Sequence, residues 1–115
     1  MKTFYEFVEN LNNDFDLNHW FKVTKKINGF FYPKIFCNDG FSMSVQASPT
    51  HYSTKKQDND SEYAEVEVGF PSENEPDLLP YKEQGTNDTP HTESVYPYVP
   101  TEIVEKIIKK HGGIK

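Results

Sequence analysis

The stretch Phe41-Ser-Met-Ser-Val-Gln-Ala-Ser48 alternates strictly. In an extended chain Phe41, Met43, Val45 and Ala47 fall on one face and Ser42, Ser44, Gln46 and Ser48 on the other, the pattern of a strand that covers a core on one side only. Asn38-Asp39-Gly40 precedes it as a tight turn. Residues 62–70 alternate again, with Ala64, Val66, Val68 and Phe70 expected on the core face and Tyr63, Glu65, Glu67 and Gly69 opposite. The polar, turn-rich residues 49–61 between these two strands read as a long hairpin loop. Upstream, the aromatic and β-branched runs at 20–24 and 30–36 flank Asn28-Gly29, whose tolerance of positive φ favours a tight hairpin, so two further strands are expected there.

Helices are expected at both ends. Thr3 and Glu6 form a capping box, and Phe4, Phe7, Val8 and Leu11 follow at helical spacing, giving a short helix over 3–12. Pro100 opens the second helix, and Glu102 suits the positive end of its dipole. Ile103, Val104, Ile107 and Ile108 make one stripe, while Lys109, Lys110 and His111 suit the C-terminal end before Gly112-Gly113 stops the turn. A further short strand is expected at 94–99, and residues 71–93 read as a long acidic loop pinned by Leu78, Leu79 and Tyr81. The expected fold is α+β: a small antiparallel sheet with an N-terminal helix and a C-terminal helix packed on one face, in a single domain over 1–115. A chain of 115 residues and 13.4 kDa has room for one real core, filled here by nine Phe, seven Tyr and one Trp.

Charge is unevenly placed. Residues 58–93 hold eleven acids against one base, Lys82, whereas the segments on either side each carry a net charge of plus two, which together give the net of −6. Such a band repels nucleic-acid phosphates and attracts basic protein surfaces. Lys22, Lys25 and Lys26 with Trp20 and Phe21 form a basic aromatic patch too small to reverse that, so no direct nucleic-acid ligand is expected. The lone Cys37 excludes an internal disulfide framework, and no secretory signal or membrane span is visible, which points to a cytoplasmic, reducing setting.

No motif assigns a reaction. The four histidines are far apart in sequence, and the calcium-loop-like start Asp58-x-Asp60-x-Glu62 has Tyr63 where glycine is required and Gly69 where a bidentate glutamate is required, so no metal and no cofactor are expected. Ser48 or Ser53 with His51, oriented by Glu65 or Glu67, could make a small hydrolase, but no nucleophile elbow or phosphate loop accompanies them, and the chain is read as a non-enzyme. The polar row ending in Gln46, His51 and Tyr52, with Tyr96 or Tyr98 as a stacking ring, is an alternative site that would sequester a small molecule such as a signalling nucleotide.

Three phrases carry a resemblance: Ser44-Val-Gln-Ala-Ser48 with His51-Tyr52, Val66-Glu-Val-Gly-Phe-Pro-Ser72, and Tyr98-Val-Pro100 running into a helix that ends His111-Gly-Gly113. In these, over about residues 40–113, the chain resembles a group of short, uncharacterised bacteriophage and prophage proteins. The resemblance implies a setting, an accessory phage protein that blocks or diverts a system of the bacterial host, including its defences. It supplies no catalytic residue. Setting and charge together give the expectation of an anti-defence inhibitor whose partner is a host protein with a basic surface. Its contacts are expected from Glu65 and Glu67 on the strand and from Glu73, Glu75 and Asp77 in the loop, with Tyr63 and Tyr81 as aromatic anchors. The sequence does not fix an oligomeric state.

Overall fold

A computed structural model describes residues 15–86 and 88–115 of the protein. The helix expected over 3–12 lies outside the described residues. The described chain runs from helix α1 (Leu17–Val23) through strands β1 (Ile35–Phe36), β2 (Ser42–Gln46), β3 (Thr54–Lys55) and β4 (Tyr63–Gly69). Two 3-10 turns follow, at Pro76–Tyr81 and His91–Glu93, then β5 (Val95–Pro100) and helix α2 (Thr101–Lys110). The fold is α+β, with an antiparallel sheet, an N-terminal helix and a C-terminal helix.

Strand β4 is the centre of the sheet. It pairs with β2 through Val45↔Val68 and with β5 through Val68↔Tyr96, so these two neighbours occupy its opposite edges. Glu65 pairs with Thr54 of β3 and with Pro100 of β5, which places β3 on the same edge as β2. Strands β2 and β3 therefore form one interrupted strand beside β4, joined by the excursion 47–53. Val45, Val66, Val68, Val99, Val104, Ile107 and Ile108 are all buried in the core cluster between the sheet and α2. The stripe expected on α2 is thus the one it buries, with Ile103 half-buried at its margin. Past α2, Gly112 and Gly113 both take positive φ, a conformation in which a Cβ would be strained. The turn they make returns the chain end to the β1 edge, where Lys115 N–H donates to Phe36 O (2.8 Å) and Asn38 N–H to Gly113 O (2.9 Å).

The segment before β2 departs from the expectation of two strands. Residues 20–23 are helical and Thr24 is the extended C-cap, because Asp16 caps α1 by accepting from His19 N–H (3.2 Å) and because Leu17 and Phe21, four apart, bury the same face. A local preference of aromatic and β-branched residues for strand gives way to capping and packing. The Asn28-Gly29 turn does form, with φ of 54° and 76° and an Ile27↔Phe31 bridge, but it joins only that single bridge, and of 30–36 only Ile35–Phe36 is strand. Phe70, expected on the core face, is exposed. At φ 52° it turns away from β4 while its N–H donates to Ser94 O (3.1 Å). Leu78 pins the acidic loop by full burial, whereas Leu79 is exposed.

Candidate functional site

Val66 and Val68 face the core, so the intervening Glu65 and Glu67 project from the other face of the sheet, where both are half-buried. That outer face is crossed by two pieces of chain. On the β2 side the hairpin after α1 lies over Gln46, the cross-strand partner of Glu67. The Gln46 amide binds the Tyr32 peptide from both ends: Oε1 accepts from Tyr32 N–H (2.8 Å) and Nε2 donates to Tyr32 O (2.8 Å). The second crossing starts at a bulge in β5. Val66 and Val68 are two apart, while their partners Val99 and Tyr96 are three apart, so β5 carries one extra residue opposite Glu67. Tyr98 takes the strain with φ of 54° and sends its N–H to Tyr52 O (3.2 Å), a link between segments on opposite edges of β4 that therefore passes over its outer face.

This bulge separates two tyrosines that simple alternation would keep together. Tyr96 is buried in the core with its hydroxyl donating to His91 O (2.9 Å), whereas Tyr98 is 47 % exposed. The Tyr98 ring meets the 46 % exposed ring of Tyr52 at 5.9 Å between centroids and 50° between planes. Beneath them Glu67 Oε1 accepts a long hydrogen bond from Tyr52 N–H (3.4 Å), and its Oε2 has no hydrogen-bond partner among the described residues. A second group of rings starts at His51, next to Tyr52 in the chain, which meets Phe31 at 6.2 Å, with Phe30 at 6.4 Å from Phe31. Phe30 and Phe31 are both exposed. The result is two groups of rings, with Tyr52, Tyr98, Phe30 and Phe31 exposed, on a sheet that carries Glu65 and Glu67 on its outer face, a composition typical of contact surfaces.

Other residues named from the sequence have internal duties. Glu75, expected on the docking face, is 2 % exposed and serves the interior instead. Its Oε1 lies 2.9 Å from His111 Nε2, and its Oε2 accepts from Lys110 Nζ (2.7 Å) and Asp77 N–H (2.9 Å). Asp77 in turn pairs with Lys110 (3.0 Å) and approaches Lys106 (3.8 Å). Glu73 is exposed. Tyr63 is tied to α1, where Asn18 bonds both its N–H (2.8 Å) and its C=O (3.0 Å), and its ring meets Phe21 at 6.2 Å. Tyr81 is half-buried against the core. Of the alternative site, Tyr52 and Tyr98 come together, Gln46 is committed to Tyr32 and Tyr96 to the core. His51 Nδ1 lies 2.6 Å from Ser48 Oγ, whose oxygen also meets Thr50, so this contact belongs to a local turn network.

Sequence reasoning missed the ring system around His111. Its two nitrogens face two carboxylates, Glu75 and Asp39 (2.6 Å from Nδ1), and only an imidazolium can donate to both. Burial alone would lower the basicity of His111, but the hydrogen bonds and charges of Glu75 and Asp39 raise its pKa above the usual imidazole value. Burial likewise opposes ionisation of Glu75, yet hydrogen bonds from Lys110, Asp77 N–H and His111 hold its carboxyl below the usual range. Asp39 is lowered by the Phe41 N–H and then by His111. The Phe41 ring stacks on one face of the His111 ring at 4.1 Å and 11°. The Asn38-Asp39-Gly40 and His111-Gly-Gly113 phrases were visible as turn and helix end; their meeting across 72 residues was not.

Among the described residues no group of three or more His, Cys, Asp or Glu is placed to hold a metal ion, and no helix is long and apolar enough to cross a membrane. Burial, with Asp39 nearby, pushes the Cys37 thiol up to about 11, so the thiolate that nucleophilic chemistry needs is scarce. Compared with family models, curated proteins and solved structures, the chain matches none.

Proposed function

We propose that this chain is a binding protein that sets the outer face of its sheet on a basic surface of another protein and blocks it. Glu65 and Glu67 on β4, with exposed Glu73 beyond the end of that strand, supply the charge. Tyr52 and Tyr98, together with Phe31 and Phe30, supply the apolar contact that charge alone does not give. The observation that carries this reading is the Tyr98 bulge. A bulky residue at positive φ costs about 1–3 kcal/mol, and here that cost holds a half-exposed ring on the outer side of the sheet that carries Glu67. Strain kept for an exposed aromatic serves contact better than it serves folding. The setting that the sequence resemblance implies makes the partner a protein of a bacterial host, with a phosphate-binding groove of a defence effector as the basic surface that such a face would mimic and occupy.

Affinity capture from bacterial lysate, with mass spectrometry of both proteins and retained small molecules, tests it. The expected result is a basic protein that elutes with salt and is not captured by a Glu65→Lys, Glu67→Lys, Glu73→Lys variant whose circular dichroism is unchanged. Glu75 is left out of that variant because its reversal would bury a lysine against Lys110. Capture that survives the triple reversal overturns the reading. A nucleotide retained on the protein and lost in Tyr52→Ala would favour sequestration by the tyrosine pair instead.

A further inference from the structure

We infer that the Tyr52–Tyr98–Glu67 cluster is a receptor for an arginine side chain, the anchor by which a basic partner is held; this rests on the docking reading above and specifies it. Three features converge on a planar cation. The two rings leave about half of each surface open, and their π faces attract cationic groups. At 5.9 Å between centroids and 50° between planes they stand too close for a flat group to slide between them, since two van der Waals contacts of about 3.5 Å need about 7 Å. The cation therefore lies on the open side of the pair, stacked on one ring and edged by the other. Glu67 supplies the charge, with Oε2 free of protein hydrogen bonds among the described residues and Oε1 engaged only by the long Tyr52 N–H contact. Guanidinium fits such a site better than ammonium, because it stacks flat on a ring while its N–H groups reach a carboxylate in the same plane.

The cluster is also prearranged. Tyr98 N–H holds Tyr52 O at 3.2 Å, which ties the two main chains together and brings the rings into contact before any partner arrives. Glu65, two residues away on the same face, offers a second carboxylate to a neighbouring basic residue.

Calorimetric titration with a short arginine-rich peptide and its lysine-for-arginine twin tests the inference, using the full chain. The arginine peptide is expected to bind about two- to fivefold tighter, the advantage of a guanidinium that stacks flat and reaches the carboxylate over an ammonium that is a point charge. Tyr52→Ala and Glu67→Gln are each expected to erase that preference, and Tyr52→Phe to keep it; circular dichroism checks folding, and Glu67→Gln carries the test if Tyr52→Ala does not fold. Equal binding of the two peptides, weakened by salt, would overturn the arginine receptor while leaving the acidic docking face intact. A preference that persists in Glu67→Gln and Tyr52→Ala would place the arginine elsewhere and overturn it as well. If neither peptide binds, both the receptor and the electrostatic reading of this face fall.

Discussion

At Tyr98 stability and contact pull in opposite directions. Positive φ is tolerated far better by asparagine than by tyrosine, because a short side chain clashes less with the flanking carbonyl and hydrogen-bonds locally. Tyr98→Asn is therefore expected to raise the unfolding free energy by about 1 kcal/mol, after allowance for the half-buried ring it removes, while weakening partner binding. Denaturant midpoints measure the first effect and titration the second; a destabilised Tyr98→Asn would show that the ring contributes more to the fold than its strain costs. Gln46 makes the opposite case. Its amide satisfies both polar groups of the Tyr32 peptide, so Gln46→Ala leaves a donor and an acceptor without partners and should cost about 1–3 kcal/mol, read from urea unfolding. Strict alternation revealed that Gln46 points away from the apolar face. It could not reveal that a hairpin fourteen residues upstream covers it, nor that one extra residue in β5 would part Tyr98 from Tyr96, because both depend on register between distant segments.

Elements were legible where every local cue agreed. In α2 the proline at the start, the apolar stripe, the terminal lysines and the paired glycines all specify one helix, and three of the four stripe residues, Val104, Ile107 and Ile108, are buried, with Ile103 half-buried. Ile107→Ala is expected to cost about 2–5 kcal/mol, since Ile107 is fully buried in the core cluster. A melting temperature that does not move would contradict the packing of α2 on the sheet. In α1 the cues conflict: Trp20, Phe21, Val23 and Thr24 favour strand, and only Asp16 as a cap with the Leu17–Phe21 spacing favours helix. Packing decides, with Leu17 N–H donating to Glu105 of α2 (2.9 Å) and Asn18 gripping the Tyr63 peptide. The acidic loop was legible as an irregular excursion, but the burial of Glu75 was not, because nothing local distinguishes it from exposed Glu73.

Across the whole molecule two charge systems serve different ends. The interior one, Asp39–His111–Glu75 with Lys110, ties the β1–β2 turn, the acidic loop and the end of α2 together, and it makes stability depend on pH in a defined sense. The lowered Asp39 and Glu75 contribute stability above the unfolded carboxylate values, about pH 4, and lose it as pH falls through their folded values. The raised His111 contributes fully below its unfolded value, about pH 6.5, and loses its contribution as pH rises through the higher folded value. The network is thus complete between about pH 4 and 6.5. Urea midpoints should fall on both sides of that window, and His111→Gln should flatten the alkaline limb; an alkaline limb that is unchanged in His111→Gln would assign it to general repulsion at a net charge of −6. The outward system is the acidic face, and its role is tested most directly by association kinetics with a captured partner, comparing the natural chain with the Glu65→Lys, Glu67→Lys, Glu73→Lys variant across ionic strength. Charges on an exposed face are screened over about 8 Å at physiological salt, so the variant should associate more slowly at low salt, with the two rates converging as salt rises. Equal association rates at low salt, in a variant that remains folded, would contradict docking through this face.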